Sequence, residues 1–150
     1  MSIREKLMAD LKEAMKSRDQ LRLDTIRFIQ SAIKNREIDL RPQAIDEPEV
    51  LAVLKKMAKQ RKESIDQYRS AGRQDLVDKE QAELVILEEY LPQAMDQGQV
   101  EAIVGEVIAA LGATEIKQMG AVIKEVQART AGAADNRMIS ELVKAKLSPQ

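Results

Sequence analysis

Apolar residues recur along this chain at helical spacing and almost nowhere alternate as a half-buried strand would. In the first segment Ile3, Leu7, Leu11 and Met15 stand four residues apart, with Ala14 beside them. Ser2 followed by Glu5 has the form of a capping box, so the spacing predicts a helix over residues 2–17. Asp19 caps a second helix over 20–40, whose stripe is Ile26, Ile29 and Ile33, flanked by Leu23, Ala32 and Phe28. Two helices joined by so short a link predict an antiparallel hairpin. Pro42 disfavours helix at Arg41, which makes 41–45 a loop. A third helix starts at Asp46, with Pro48 tolerated and Glu47 and Glu49 favoured in its first turn. Val50, Leu54, Met57, Ile65 and Tyr68 mark its buried side, and Gly72 ends it as a left-handed cap. A fourth helix follows over 74–90, with the stripe Val77, Leu84, Leu87 and Leu91.

The pattern breaks over 92–98, between Pro92 and Gly98. We therefore expect an N-terminal helical domain at 1–91, a linker at 92–98 and a C-terminal domain at 99–150. The latter reads as three shorter helices. One spans 99–111 and ends at Gly112, one spans 115–128, and one is capped by Asp135 and reaches Leu147. Gly120 falls inside the amphipathic pattern of Ile116, Met119, Val122, Ile123 and Val126. Glycine in a helix interior costs about 1 kcal/mol against alanine. Close packing of another helix would explain it, and so would the approach of a ligand to the backbone. The predicted fold class is all-α: N-terminal helical hairpins packed as a bundle, followed by a small C-terminal three-helix domain.

Composition narrows the chemistry. With one Phe, two Tyr and no Trp among 150 residues, the core must be aliphatic. Without His or Cys, disulfides, thiol nucleophiles, zinc fingers, His-ligated haem and Ser-His-Asp triads are excluded. The remaining metal ligands are carboxylates in no binding-loop pattern, so neither metal nor cofactor is expected. No apolar run approaches the roughly 20 residues of a membrane span. Residues 1–6 are charged and lack the apolar segment of a secretion signal, so the expected location is cytoplasmic.

The charges are 24 basic against 25 acidic, but they are not evenly placed. From Val50 to Arg73 seven basic residues face two acidic ones, and from Gln74 to Leu91 six acidic residues face one Lys. The run Lys55, Lys56, Lys59, Arg61 and Lys62 has two readings: contacts to phosphates, or complementarity with the acidic helix that follows. Arg61 and Glu80 interrupt apolar stripes. Charge there is costly unless paired, so we expect Arg61 to meet Glu80 or Glu83 as a structural ion pair. A catalytic carboxylate is the alternative, but no second acid or nucleophile stands at a useful spacing. Near the C-terminus Lys117, Lys124, Arg129, Arg137, Lys144 and Lys146 make either a modest basic surface or a solvated face.

Several stretches occur in a telling order. They are Glu13-Ala14-Met15-Lys16-Ser17-Arg18-Asp19, Lys59-Gln60-Arg61-Lys62-Glu63-Ser64, Gln67-Tyr68 with Ala71-Gly72-Arg73, and Lys79-Glu80-Gln81-Ala82-Glu83 with Leu87-Glu88-Glu89-Tyr90-Leu91-Pro92. Met119-Gly120-Ala121-Val122 and Ala134-Asp135 follow. In these the chain resembles the YqeY family over nearly its whole length. The resemblance implies a helical N-terminal domain and a three-helix domain similar to the C-terminal tail of GatB, a component of the tRNA-dependent amidotransferase in which the tail helps hold tRNA. It implies a tRNA-associated accessory protein without catalysis of its own. The nucleic-acid contacts would be Lys117, Lys124, Arg129, Arg137, Lys144 and Lys146, and the partners tRNA and amidotransferase or aminoacyl-tRNA synthetase subunits. The label often given to stand-alone members supplies one alternative, a component of a carbon–nitrogen ligase with glutamine as amido donor that acts with partner subunits. No amidase Ser-Ser-Lys machinery is recognisable here, and the large ATP-using kinase domain is missing. A second alternative is a helical protein-interaction module with no RNA role. Where the family tail often reads Lys-Gly-Lys-Ala-Asp, this chain reads Ala131-Gly132-Ala133-Ala134-Asp135, keeping the turn glycine and the capping aspartate but neither lysine.

Overall fold

Capping side chains set where most of the helices begin. In a computed structural model describing residues 2–148, Ser2 Oγ accepts the Glu5 N–H at 3.1 Å while Glu5 Oε2 accepts the Ser2 N–H at 3.0 Å. This opens α1 (Ile3–Ser17). Asp19 opens α2 (Gln20–Leu40) and Asp46 opens α3 (Glu47–Ser70), each carboxylate accepting a first-turn N–H. Gly72, at φ 72°, turns the chain into α4 (Gln74–Glu88). Asp96 and Gln99 form a second reciprocal box at the head of α5 (Gln97–Leu111). That helix therefore starts inside the segment expected to be linker. The Asp-x-x-Gln signal is present in the sequence, and it overrides the helix-breaking tendency of Gly98. A 3-10 turn (Ile116–Gln118) leads into α6 (Met119–Thr130), and Asp135 opens α7 (Asn136–Leu147). Among the described residues there is no strand, and no helix is long and apolar enough to cross a membrane.

The chain divides into two compact units, Met1–Leu91 and Pro92–Gln150. In the first, α1 packs on α2 and α3 on α4, and α2 also packs against both α3 and α4. Leu7, Ile26, Ile29, Leu54 and Leu87 are at most 1% exposed at its centre. Burying each such side chain contributes about 1.5–3 kcal/mol.

Two members of the expected core lie outside it. Met15 is exposed, and its neighbour Ala14 is buried instead. The two positions differ by one step of about 100° around the helix, and the small side chain is the one that fits beneath a packed neighbour. Phe28, the only phenylalanine, is also exposed. Its ring centroid lies 5.3 Å from the Arg61 guanidinium carbon, within cation–π reach. Arg61 Nη1 donates to Glu80 Oε2 at 3.0 Å and to Glu83 as well, with the arginine side chain only 11% exposed. Two acids of α4 thus share one cation of α3, and Phe28 of α2 covers its face.

A second polar cluster ties the end of this unit to its beginning. The buried Tyr90 donates its hydroxyl to Asp10 Oδ2 at 2.5 Å, and Lys6 lies over the same ring. Burial, then the bond to Asp10, pushes the phenol well above its ordinary range. Arg22 grips Glu89 with both amino groups, at 2.7 and 3.1 Å, and holds that carboxyl below its usual value of 4.5. A depressed folded-state pKa adds stability that is complete above the unfolded value and is lost as pH falls through the folded one. The first unit is therefore expected to melt at progressively lower temperature as pH drops below about 4.5. Glu89→Gln should flatten part of that slope. A pH–melting profile identical to that of the unaltered protein would remove the Arg22–Glu89 pair as a source of acid sensitivity.

Candidate nucleic-acid interface

The second unit is built on valine. Val100, Val104 and Val107 of α5 meet Val122 and Val126 of α6 and Ile139 and Val143 of α7, all with no exposed surface. The i, i+4, i+7 spacing on α5 places its three valines on one face. Leu147, Ala113 and Ala134 close the ends of this core. Met95 packs against it, and its N–H donates to Ala133 O at 2.9 Å, so the segment before α5 is fastened to the α6–α7 loop. Ala134 is thus a core residue and Asp135 a cap, which gives both halves of that pair a role in folding.

All six candidate cations lie on the surface of this unit, but they do not gather into one patch. Lys117 is 2.9 Å from Glu115. Arg129 pairs with Glu125 at 3.1 Å and reaches Glu106 of α5 at 4.0 Å. Arg137 pairs with Glu141 at 3.2 Å, and Lys146 lies 3.6 Å from Glu101 of α5. Only Lys124 and Lys144 of the six have no carboxylate within 4.0 Å among the described residues. Across residues 92–150 seven acidic residues stand against six basic ones, so the modest basic surface expected from the C-terminal sequence is largely offset by its own neighbours.

Two further expectations change in the folded chain. Close helix packing does not explain Gly120. It is exposed, and a Cβ built there meets nothing within 4 Å. Ile116 likewise leaves the amphipathic pattern, being 43% exposed on the 3-10 turn. Asp135 Oδ1 accepts the Arg137 N–H at 3.0 Å and places a negative charge at the start of α7. In the loop before it, Ala131 and Gly132 both take positive φ, at 47° and 87°, so the turn at Gly132 is conformationally required. No cluster of three or more potential metal ligands occurs among the described residues.

Comparison with known proteins bears on this arrangement. The family model described as Yqey-like protein matches residues 4–147. The chain is 38% identical over 114 residues to Altered inheritance of mitochondria protein 41, mitochondrial, of Lachancea thermotolerans, covering 75% of this chain and 58% of the relative. The protein of the same name from Kluyveromyces lactis is 42% identical over 112 residues, covering 73% of this chain and 60% of that one. The chain thus spans less than two thirds of the length of either relative. Their names place them in mitochondria. The match over 4–147 takes in most of both units, and on that extent the chain belongs to the YqeY family.

Proposed function

We propose that this chain is a tRNA-associated accessory protein with no chemistry of its own. The observation that supports this most is the C-terminal unit. It closes its own core, directs all six of its cations outward, and leaves the backbone at Gly120 open where no internal contact calls for glycine. The similarity of Met119-Gly120 and Ala134-Asp135 to the amidotransferase tail supports the choice of tRNA. Binding should follow shape rather than base identity. Tyr90 is buried and Tyr68 partly so, leaving Phe28, already over Arg61, as the only exposed aromatic. The relatives' names carry the word mitochondrial, and the reading needs only an aqueous compartment that contains tRNA.

The near-neutral charge and the missing loop lysines limit affinity. We expect micromolar binding of bulk tRNA at low ionic strength, falling steeply as salt rises. Fluorescence anisotropy with labelled bulk tRNA and the full chain tests this. No salt-dependent binding at low ionic strength would end the tRNA reading and leave a helical protein-interaction module in its place. Glutamine-dependent amide transfer that appears only with added amidotransferase subunits would support a ligase component instead.

A further inference from the structure

The strongest unpartnered charge in the described structure lies in the N-terminal unit. Lys55, Lys56, Lys59 and Lys62 of α3 are all exposed. The ion pairs that α3 makes among the described residues are Arg36–Glu49, Arg61 with Glu80 and Glu83, and Arg69–Asp66. None of these involves the four lysines. Four of the five acids of α4 are engaged elsewhere: Asp75 holds Arg73, Asp78 accepts from Gln74, and Glu80 and Glu83 share Arg61, while among the described residues Glu88 pairs with none of the α3 lysines. The complementarity of the two helices is thus carried by Arg61, and the four lysines of the basic run take no part in it.

At 100° and 1.5 Å per residue, Lys55, Lys59 and Lys62 fall within about 60° of one another, in a row roughly 10 Å long. Lys56 stands one step to the side. The residues interspersed on the exposed side are Gln60 and one acid, Glu63, which leaves the four lysines a net charge of +3, and the apolar side of α3 is committed to the core through Leu54, Met57 and Ile65. An anionic membrane surface would attract the lysines at about 1 kcal/mol each, but stable anchoring needs a second, apolar signal, and α3 has no apolar face to spare for it. A folded protein partner would need an aromatic or aliphatic anchor at the centre of the patch, and none lies among the lysines. What remains is a linear array of flexible point charges with nothing to read bases. That suits a polyanion whose phosphates follow closely along one line.

We infer that the Lys55–Lys59–Lys62 row of α3, with Lys56 beside it, is the principal contact with the RNA phosphate backbone. This rests on the tRNA reading above and shifts its main electrostatic contact from the C-terminal unit to the N-terminal one. Three or four phosphate contacts predict a loss of affinity of about 40–150-fold between 50 and 200 mM salt.

The test uses the full chain, labelled bulk tRNA, and two triple variants that each remove three charges. One is Lys55→Gln/Lys59→Gln/Lys62→Gln, and the other is Lys124→Gln/Arg137→Gln/Lys144→Gln. Circular dichroism melts verify that each is folded. The α3 variant is expected to bind at least tenfold more weakly at low salt and to lose most of the salt dependence, while the C-terminal variant changes affinity less than threefold. If the unaltered chain binds and the α3 variant matches it, this inference is overturned and the tRNA reading stands. If the unaltered chain does not bind, the tRNA reading fails and this inference falls with it. Lysine-dependent binding to phosphatidylserine-containing vesicles without binding to tRNA would assign the row to a lipid surface and overturn the inference as well.

Discussion

Replacing Arg61 by alanine is expected to destabilise the N-terminal unit by about 3 kcal/mol, read as a shift in the denaturant midpoint at unchanged slope. One guanidinium holds two carboxylates of α4, and the arginine side chain is 11% exposed against 22% and 17% for Glu80 and Glu83. Removing it leaves two like charges close together in a partly dehydrated site and uncovers the ring of Phe28. Breaking a buried pair from one side typically costs about 3–5 kcal/mol, and the residual exposure of both acids places this case at the lower end. Two controls separate the causes. Adding Glu80→Gln and Glu83→Gln to Arg61→Ala should recover much of the loss, because the repelling charges are gone. Arg61→Lys should recover only part of it, since an ammonium can donate to both carboxylates but lacks the planar face that lies over Phe28. A midpoint within about 0.5 kcal/mol of the unaltered protein would show that Arg61 behaves as an ordinary surface residue.

Ile139→Ala is expected to unfold the C-terminal unit while the N-terminal unit stays folded. Ile139 has no exposed surface, and truncating a buried isoleucine costs about 2–5 kcal/mol. A unit of about 60 residues has on the order of 3–9 kcal/mol to lose. The core around Ile139 consists mainly of valines from three helices, which have few atoms with which to refill the space. Two-dimensional amide NMR makes the outcome visible by residue. Signals from residues 97–147 should collapse toward unfolded positions, while those of α1 to α4 keep their dispersion. A variant whose amides all retain native dispersion would show that this core tolerates the cavity. Loss of dispersion in both units together would show that they do not fold separately.

The sequence was most informative where local chemistry decides alone. Both bounds of α2, the caps Ser2, Asp19, Asp46 and Asp135, and the left-handed glycines at 72 and 112 depend on side chains within a few residues, and all were readable. Arg61 and Glu80 were also readable as conspicuous breaks in apolar stripes, and in the structure they meet. What escaped depends on the neighbouring helix. Periodicity gives the direction of a buried face but not its edges, so Ala14 could not be told from Met15, nor Phe28 placed over a cation on α3. The same gap affects the charges. A count of basic residues does not show that Arg129, Arg137 and Lys146 each have an acid beside them while Lys55, Lys59 and Lys62 do not. Gly120 misled for a related reason: a glycine inside an amphipathic pattern suggests a tight crossing, yet the space beside it is empty.

The bond from Tyr90 to Asp10 has a consequence for the order in which this protein is made. It joins residues 80 apart in sequence, and the Arg22–Glu89 pair beside it spans 67. The two hairpins, α1 with α2 and α3 with α4, are local and can form as soon as each emerges from the ribosome. Of the contacts that join the hairpins, Ile3 N–H to Glu47 and Arg36 to Glu49 can form once α3 has begun, but those of Tyr90 and Glu89 wait for the turn beyond α4. Long-range closure of this kind is slow relative to helix formation, because the chain between the partners must first be ordered. During synthesis the face that carries Leu7, Ile26 and Ile29 is therefore covered only in part by α3 until α4 has emerged as well. The pace of synthesis between the emergence of α2 and that of α4 therefore bears on how long the nascent chain exposes part of that apolar face.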